Sequence, residues 1–255
     1  MKKFLLLCAC LATSGLQASD CKYKEMIDQT LDLAGSESLS VNAAAGELKI
    51  TGLKGGNVAV IKGRICVSEE EWLAKSGVET NAGEQAEITV VLPDTDDGHS
   101  WSGNNYAHLD LELEVPEGIR LNVRDSSGEM RLEGVSVATV QDSSGGLYIS
   151  DATGPINIRD SSGVIDLTDI NGDVTIESDS SGDILGRDIR GTVLVESDSS
   201  GDIDFTDVSA NFVVERDSSG DISANRVGGD FEVQRDGSGE IRAENVTGEV
   251  STPSD

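Results

Sequence analysis

Aromatic residues make up only 4% of this 255-residue chain, proline occurs four times, and there are just two histidines. So small a supply of rings argues against an aromatic-lined groove for polymers and against a large globular helical core. Basic residues are also scarce, 19 against 47 acids, for a net charge of −28. That balance excludes nucleic acid and anionic membrane as partners, because phosphates would be repelled. Cations, basic proteins and polar glycans remain open. No apolar run after residue 18 is long enough for a transmembrane helix. His99 and His108 both fall outside the repetitive half, and no serine has an evident His and Asp partner set, so an enzyme is not expected.

Residues 1–18 read as an export signal: Lys2 and Lys3, the apolar run Phe4–Ala12, and a small-residue cleavage site ending at Ala18. Cys10, in Leu7-Cys8-Ala9-Cys10, is an early alternative start for a lipid-anchored chain. Removing the signal takes away two lysines and no acids, so the charge moves from −28 to −30. Two cysteines then remain, Cys21 and Cys66, and in an oxidising compartment an even pair is expected to form a bridge. The chain is therefore expected in the periplasm or at the cell surface.

What the sequence has in abundance is glycine, 29 residues, much of it in one recurring turn. Asp-Ser-Ser-Gly, the last copy as Asp-Gly-Ser-Gly, ends at Gly128, Gly145, Gly163, Gly182, Gly201, Gly220 and Gly239, spaced by 17, 18 and then 19 residues. A period this short means that one repeat cannot bury its own apolar face, so neighbours must stack. Two residues after each glycine stand Met130, Leu147, Ile165, Ile184, Ile203, Ile222 and Ile241, with a second mostly apolar position at plus four. That alternation marks a half-buried strand. A third apolar position lies at plus seven, from Val135 to Val246. Most repeats carry another corner glycine, such as Gly172 or Gly191, and then a second alternating strand with inward pairs such as Val174/Ile176 and Phe212/Val214. The chain is thus expected to be all-β: a single-stack β-solenoid of about 19 residues per coil with two main strands each, plus-seven being able to form a short third face.

Residues 19–105 are expected to cap residues 106–255. One diverged coil is legible in Gly46–Leu53, followed by Gly55-Gly56 and a strand at Val58–Ile61, with Met26–Leu33 before it as a capping strand. Ser68 with Glu71 is a capping-box signal, predicting a short helix over Glu69–Lys75 closed by Gly77. Strands are expected at Glu87–Leu92 and Tyr106–Val115, separated by a polar loop at Asp94–Asn105. This excursion would hide the open edge of the first coil.

Three stretches resemble a bacterial family of exported domains known as the "putative adhesin" family: Leu39–Val60, Leu109–Gly128, and the Ser-Gly-Asp-Ile repeats to Gly248. The resemblance implies a β-solenoid exported to the cell envelope and acting as an adhesin-like structural or interaction module. It carries no catalytic or binding residue set.

The turn aspartates from Asp125 to Asp236 are expected to form a column along one edge, each accepting a hydrogen bond from a backbone N–H two residues ahead. Arginines just before them, such as Arg124 and Arg159, would offset the charge. A second reading is a calcium-dependent binding module, with Asp179, Asp183, Asp198, Asp202, Asp217 and Asp221 as candidate Ca²⁺ ligands, hard cations taking several carboxylate oxygens. The Gly-Gly-x-Gly-x-Asp nonapeptide of calcium β-rolls is absent. A protein or glycan partner would meet the outward residues Tyr148, Asp166, Leu185, Arg187, Asp204, Leu194 and Val213.

Overall fold

The computed structural model describes residues 21–95 and 105–253. The proposed signal, Cys10, His99 and Trp101 lie outside the described residues, as does most of the loop after Asp94. The N-terminal strands are β1 (Tyr23–Asp32), β2 (Ser38–Asn42), β3 (Leu48–Leu53), β4 (Val58–Val67), β5 (Gly77–Asn81), β6 (Gln85–Val91) and β7 (Ala107–Pro116). The chain then alternates between two sheets. One receives β8 (Arg120–Arg124), β10 (Ser136–Gln141), β12 (Ile156–Arg159), β14 (Val174–Ser178), β16 (Val193–Val195), β18 (Phe212–Val214), β20 (Phe231–Val233) and β22 (Val250–Ser251). The other receives β9 (Met130–Glu133), β11 (Leu147–Ser150), β13 (Ile165–Ile170), β15 (Ile184–Ile189), β17 (Ile203–Val208), β19 (Ile222–Val227) and β21 (Ile241–Val246).

Each sheet has 11 strands, parallel throughout the repeats, and sets inward residues against their counterparts one coil away, as in Ile165↔Ile184↔Ile203↔Ile222. At about 4.8 Å per strand, 11 strands make a rod on the order of 50 Å long. The positions predicted to face inward do so: Ile165, Leu167, Ile184, Ile203 and Ile222 are fully buried, with Val174, Ile176, Phe212 and Val214 opposite them. The plus-seven residues form no third face, and from β13 onward, Ile170 to Val246, they close the first strand of each coil. Asp151, Asp169, Asp188, Asp207, Arg226 and Asn245 just before them adopt φ of 52° to 62°. This left-handed step skips one outward residue and turns the next, such as Ile170 or Ile189, back into the core. Asp and Asn tolerate that conformation better than most residues. The solenoid is two-sided.

The N-terminal region differs from expectation in its order. β2 and β3 make one coil, but it inserts between β6–β7 and β8–β9, because β2 pairs with both β6 and β8 and β3 with both β7 and β9. The strand beginning at Val58 does not complete that coil. β4 instead runs antiparallel between β1 and β7, and Leu53, the plus-seven position of the diverged coil, is exposed. The predicted helix is a 3-10 turn, Glu70–Lys75, whose N-cap Glu69 makes no side-chain capping bond. Ser68 is spent elsewhere: its Oγ accepts the Tyr106 N–H at 3.2 Å, fastening the turn to the start of β7. Gly77 opens β5 rather than closing the helix. Trp72, buried beneath this turn, seals the end of the core.

Candidate functional site

The corners built by Asp-Ser-Ser-Gly are tightly constrained. Their glycines hold φ between 129° and 150°, and a Cβ on Gly163 would stand 1.4 Å from the carbonyl oxygen of Gly145. Successive corners therefore stack backbone on backbone, with the Gly163 N–H donating to Ser181 O and the Gly182 N–H to Ser200 O. So tight a stack leaves the aspartate three residues earlier no outward route. Asp125, Asp142, Asp160, Asp179, Asp198 and Asp217 do form a column, but it faces inward and they are only 1% to 5% exposed.

Each carboxylate in this column from Asp142 onward keeps one bond to its own turn. Asp142, Asp160 and Asp198 Oδ1 accept from the next residue's N–H at 2.7 Å. Asp179 and Asp217 Oδ1 accept from two residues ahead, at 3.3 and 3.2 Å. The second oxygen of each has no hydrogen-bond partner among the described residues. An unpaired buried carboxylate oxygen is costly, and the cost falls on the charged form. Burial, with the neighbouring aspartates adding to it, pushes Asp160 and Asp198 up to about 7. Asp125 reaches about 7 as well, mainly through burial. Asp142, Asp179 and Asp217 are also raised by burial, their turn N–H groups pulling the other way. The sequence placed these residues in one file, but their inward direction and the upward shift of their carboxyls were not read from it.

The acidic residues just after the glycines form a separate, exposed ladder. Asp183 accepts the N–H of Asp202, Asp202 that of Asp221, and Asp221 that of Glu240, at 2.8 to 3.1 Å. Of the six candidate calcium ligands, Asp179, Asp198 and Asp217 thus lie inside and Asp183, Asp202 and Asp221 outside. Among the described residues no three of these carboxylates bring ligand atoms within 4.8 Å of one another. A trio that does converge is Cys21, Cys66 and His108, but both sulfurs are committed to a disulfide with Cα atoms 5.4 Å apart. Of the arginines expected to offset charge, Arg159 pairs with Glu177 one coil on, whereas Arg124 bonds Gln141.

The outward residues sort by sheet. Asp166, Leu185, Arg187 and Asp204 come together with Thr168 and Thr206 around a shallow depression of about 290 Å³. Leu194 and Val213 are direct neighbours on the opposite sheet. Tyr148 continues the Asp166 row one coil back, its ring 4.3 Å from the Arg131 guanidinium on its other side. A second depression, about 330 Å³, follows the left-handed steps and holds Asp188, Arg190, Asp207 and Arg226. There Arg226 clamps Asp207 with two bonds and holds its carboxyl below the usual range. Sequence reasoning missed this second groove, although Asp, Asp, Arg and Asn at one repeat position were its visible signal.

No protein-family model matches the chain, and no curated protein matches it. Solved structures similar to it include a "putative lipid binding protein" from Parabacteroides distasonis, at 12% identity and a TM-score of 0.41, covering 91% of this chain and 98% of that one. A "putative adhesin" from Bacteroides fragilis matches at 11% identity and a TM-score of 0.37, covering 90% and 97%. A "putative cell adhesion protein" from Clostridium sporogenes matches at 16% and 0.36, covering 91% and 100%. At such identities and scores the likeness carries no argument about what this chain does.

Proposed function

We propose that the protein is an exported, non-enzymatic β-solenoid that serves as an adhesin-like interaction module at the cell envelope. The carrying observation is a pair of adjacent rows at one-coil spacing on one sheet, Asp166–Leu185–Asp204 and Thr168–Arg187–Thr206, which together make a mixed charged and apolar strip. Such a strip suits a polar glycan or a protein strand carrying groups at regular intervals. Export is supported by the Cys21–Cys66 bridge, which persists in oxidising compartments. Among the described residues no helix is long and apolar enough to cross a membrane.

The test is binding of the purified chain to glycan arrays and to immobilised envelope proteins, repeated with Arg187→Ala and Asp204→Ala. A ligand retained by the wild type and lost by both variants supports the reading. Binding that ignores both substitutions, or no binding on either surface, removes it. The reading needs no metal, so melting in EDTA and in millimolar CaCl₂ is expected to coincide. A large calcium-dependent rise would instead favour the acidic turns as a cation site.

A further inference from the structure

The two ends of the stack are unlike. At the N-terminal end the core is closed by Trp72 and by antiparallel strands in both sheets, and Gln29 Nε2 donates to Val78 O across the seam at 3.3 Å. At the other end nothing among the described residues covers the last coil. Ile241, Ala243 and Val246 are partly exposed, whereas Ile222, Ala224 and Val227, their equivalents one coil back, are 0% to 2% exposed. Val250 is 51% exposed, and Phe231 beneath it is fully buried. The backbone is open as well. In a parallel pair alternate residues direct both N–H and C=O to the same neighbour. The Ile222 N–H donates forward to Glu240 O at 2.9 Å, so Ile241 and Ala243, in the same phase, aim theirs away from the stack.

We propose that this end face binds a second copy of the chain, the two rods meeting tail to tail about a two-fold axis. Turning one rod over onto the other by a two-fold axis perpendicular to the sheets makes both pairs of edge strands antiparallel. With Ala243 on the axis, its N–H and C=O exchange bonds with those of the partner's Ala243. That register sets Arg242 opposite the partner's Glu244, and symmetry repeats the pairing. Within one chain Arg242 pairs with Glu240 at 2.9 Å, and both side chains stand in solvent. The edge strand therefore carries a charge pattern complementary to itself in a chain whose net charge would otherwise oppose association. Ile241 and Val250 gain a cover in the same contact. Repeated head-to-tail growth would instead put this open end against the closed cap. The isologous contact uses up both open ends, so assembly stops at two.

Sedimentation velocity of the purified full chain over a concentration series tests the proposal. The wild type is expected to dimerise reversibly, and Val250→Lys to remain monomeric. Arg242→Glu and Glu244→Arg should each weaken the dimer about tenfold or more, since like charges then face each other twice. The double variant R242E/E244R should restore it. All three side chains are exposed in the single chain, so at concentrations too low for dimer the melting curves should coincide with that of the wild type. Of these proteins, only the wild type and the double variant should melt higher as concentration rises. Met26→Lys, at the capped end, should leave the dimer intact. A monomeric wild type, single swaps without effect, failure of the double swap to restore the dimer, or a dimer lost through Met26→Lys would each overturn the proposal.

Discussion

At the scale of single residues, the inward aspartates make stability depend on pH in an unusual direction. Asp160 lies between Asp142 and Asp179, and burial with these neighbours raises it to about 7. The folded chain therefore holds protons that the unfolded chain releases near pH 4. Such a group's stabilisation is complete below its unfolded pKa and is lost as pH rises through the folded one. Melting temperature is thus expected to be highest near pH 4, to fall up to about pH 7, and to level off above it. Asp160→Asn, which can still accept the Ser161 N–H, should flatten part of this slope and match or exceed the wild type at pH 8. At about 1.4 kcal/mol per pKa unit, the gain is on the order of 1–3 kcal/mol. Thermal melts of both proteins across pH measure it, and parallel curves would mean that the column is not the source. The corner glycines give a second expectation at this scale. Gly163→Ala, whose Cβ would overlap Gly145 O, should abolish folding, whereas Gly35→Ala meets nothing within 4 Å and carries only the strain of φ 87°. Soluble yield and circular dichroism of the two variants decide the point.

At the scale of strands, the coils are matched to one another in volume. Gly186 in β15 leaves the space that the Phe205 ring of β17 enters, since a Cβ there would lie 2.0 Å from that ring. Phe205 also packs against Phe212, which stacks on Phe231 with ring centroids 5.5 Å apart. Phe205→Ala should cost about 3–5 kcal/mol by opening a cavity, and Gly186→Ala about 1–3 kcal/mol by overpacking. Because the two share one space, Gly186→Ala should be better tolerated with Leu at 205 than in the wild type. Urea denaturation around that double-mutant cycle reads the coupling, and additive costs would refute the volume match. This exchange between coils was legible as composition, Gly at plus four followed by Phe one period later. The inward positions were legible too, because a repeat of about 19 residues prints each core contact seven times. Strand order at the N-terminus was not. Whether the Gly46–Leu53 coil lies before or after β7 depends on pairings between strands some 60 residues apart, and local pattern carries no record of them. The aspartates escaped for another reason. A polar turn ordinarily faces water, and only the overlap of stacked glycines forces the carboxyl inward.

At the scale of the whole molecule, a stack in which each coil touches only its neighbours has a stability that is close to a sum of local terms, so its ends matter most. The N-terminal end depends on β1, a sheet-edge strand paired only with β4 in an antiparallel register from Tyr23↔Val67 to Asp32↔Val58. Cys21–Cys66 ties the outer end of that strand to the last residues of β4 and spans 45 residues of sequence. Loop-closure entropy for a loop of that size is about 4 kcal/mol, more than one edge strand is expected to contribute by itself. Reduction should therefore loosen the cap before it disturbs the repeats. Native-state hydrogen exchange with and without reductant separates these regions. Amides of β1 and the outer half of β4 are expected to lose protection on reduction, those of β13 to β17 to keep theirs, and the final melt to fall only modestly. Equal loss of protection along the rod would mean that the stack unfolds as one cooperative unit, and that the disulfide holds the whole molecule rather than its end.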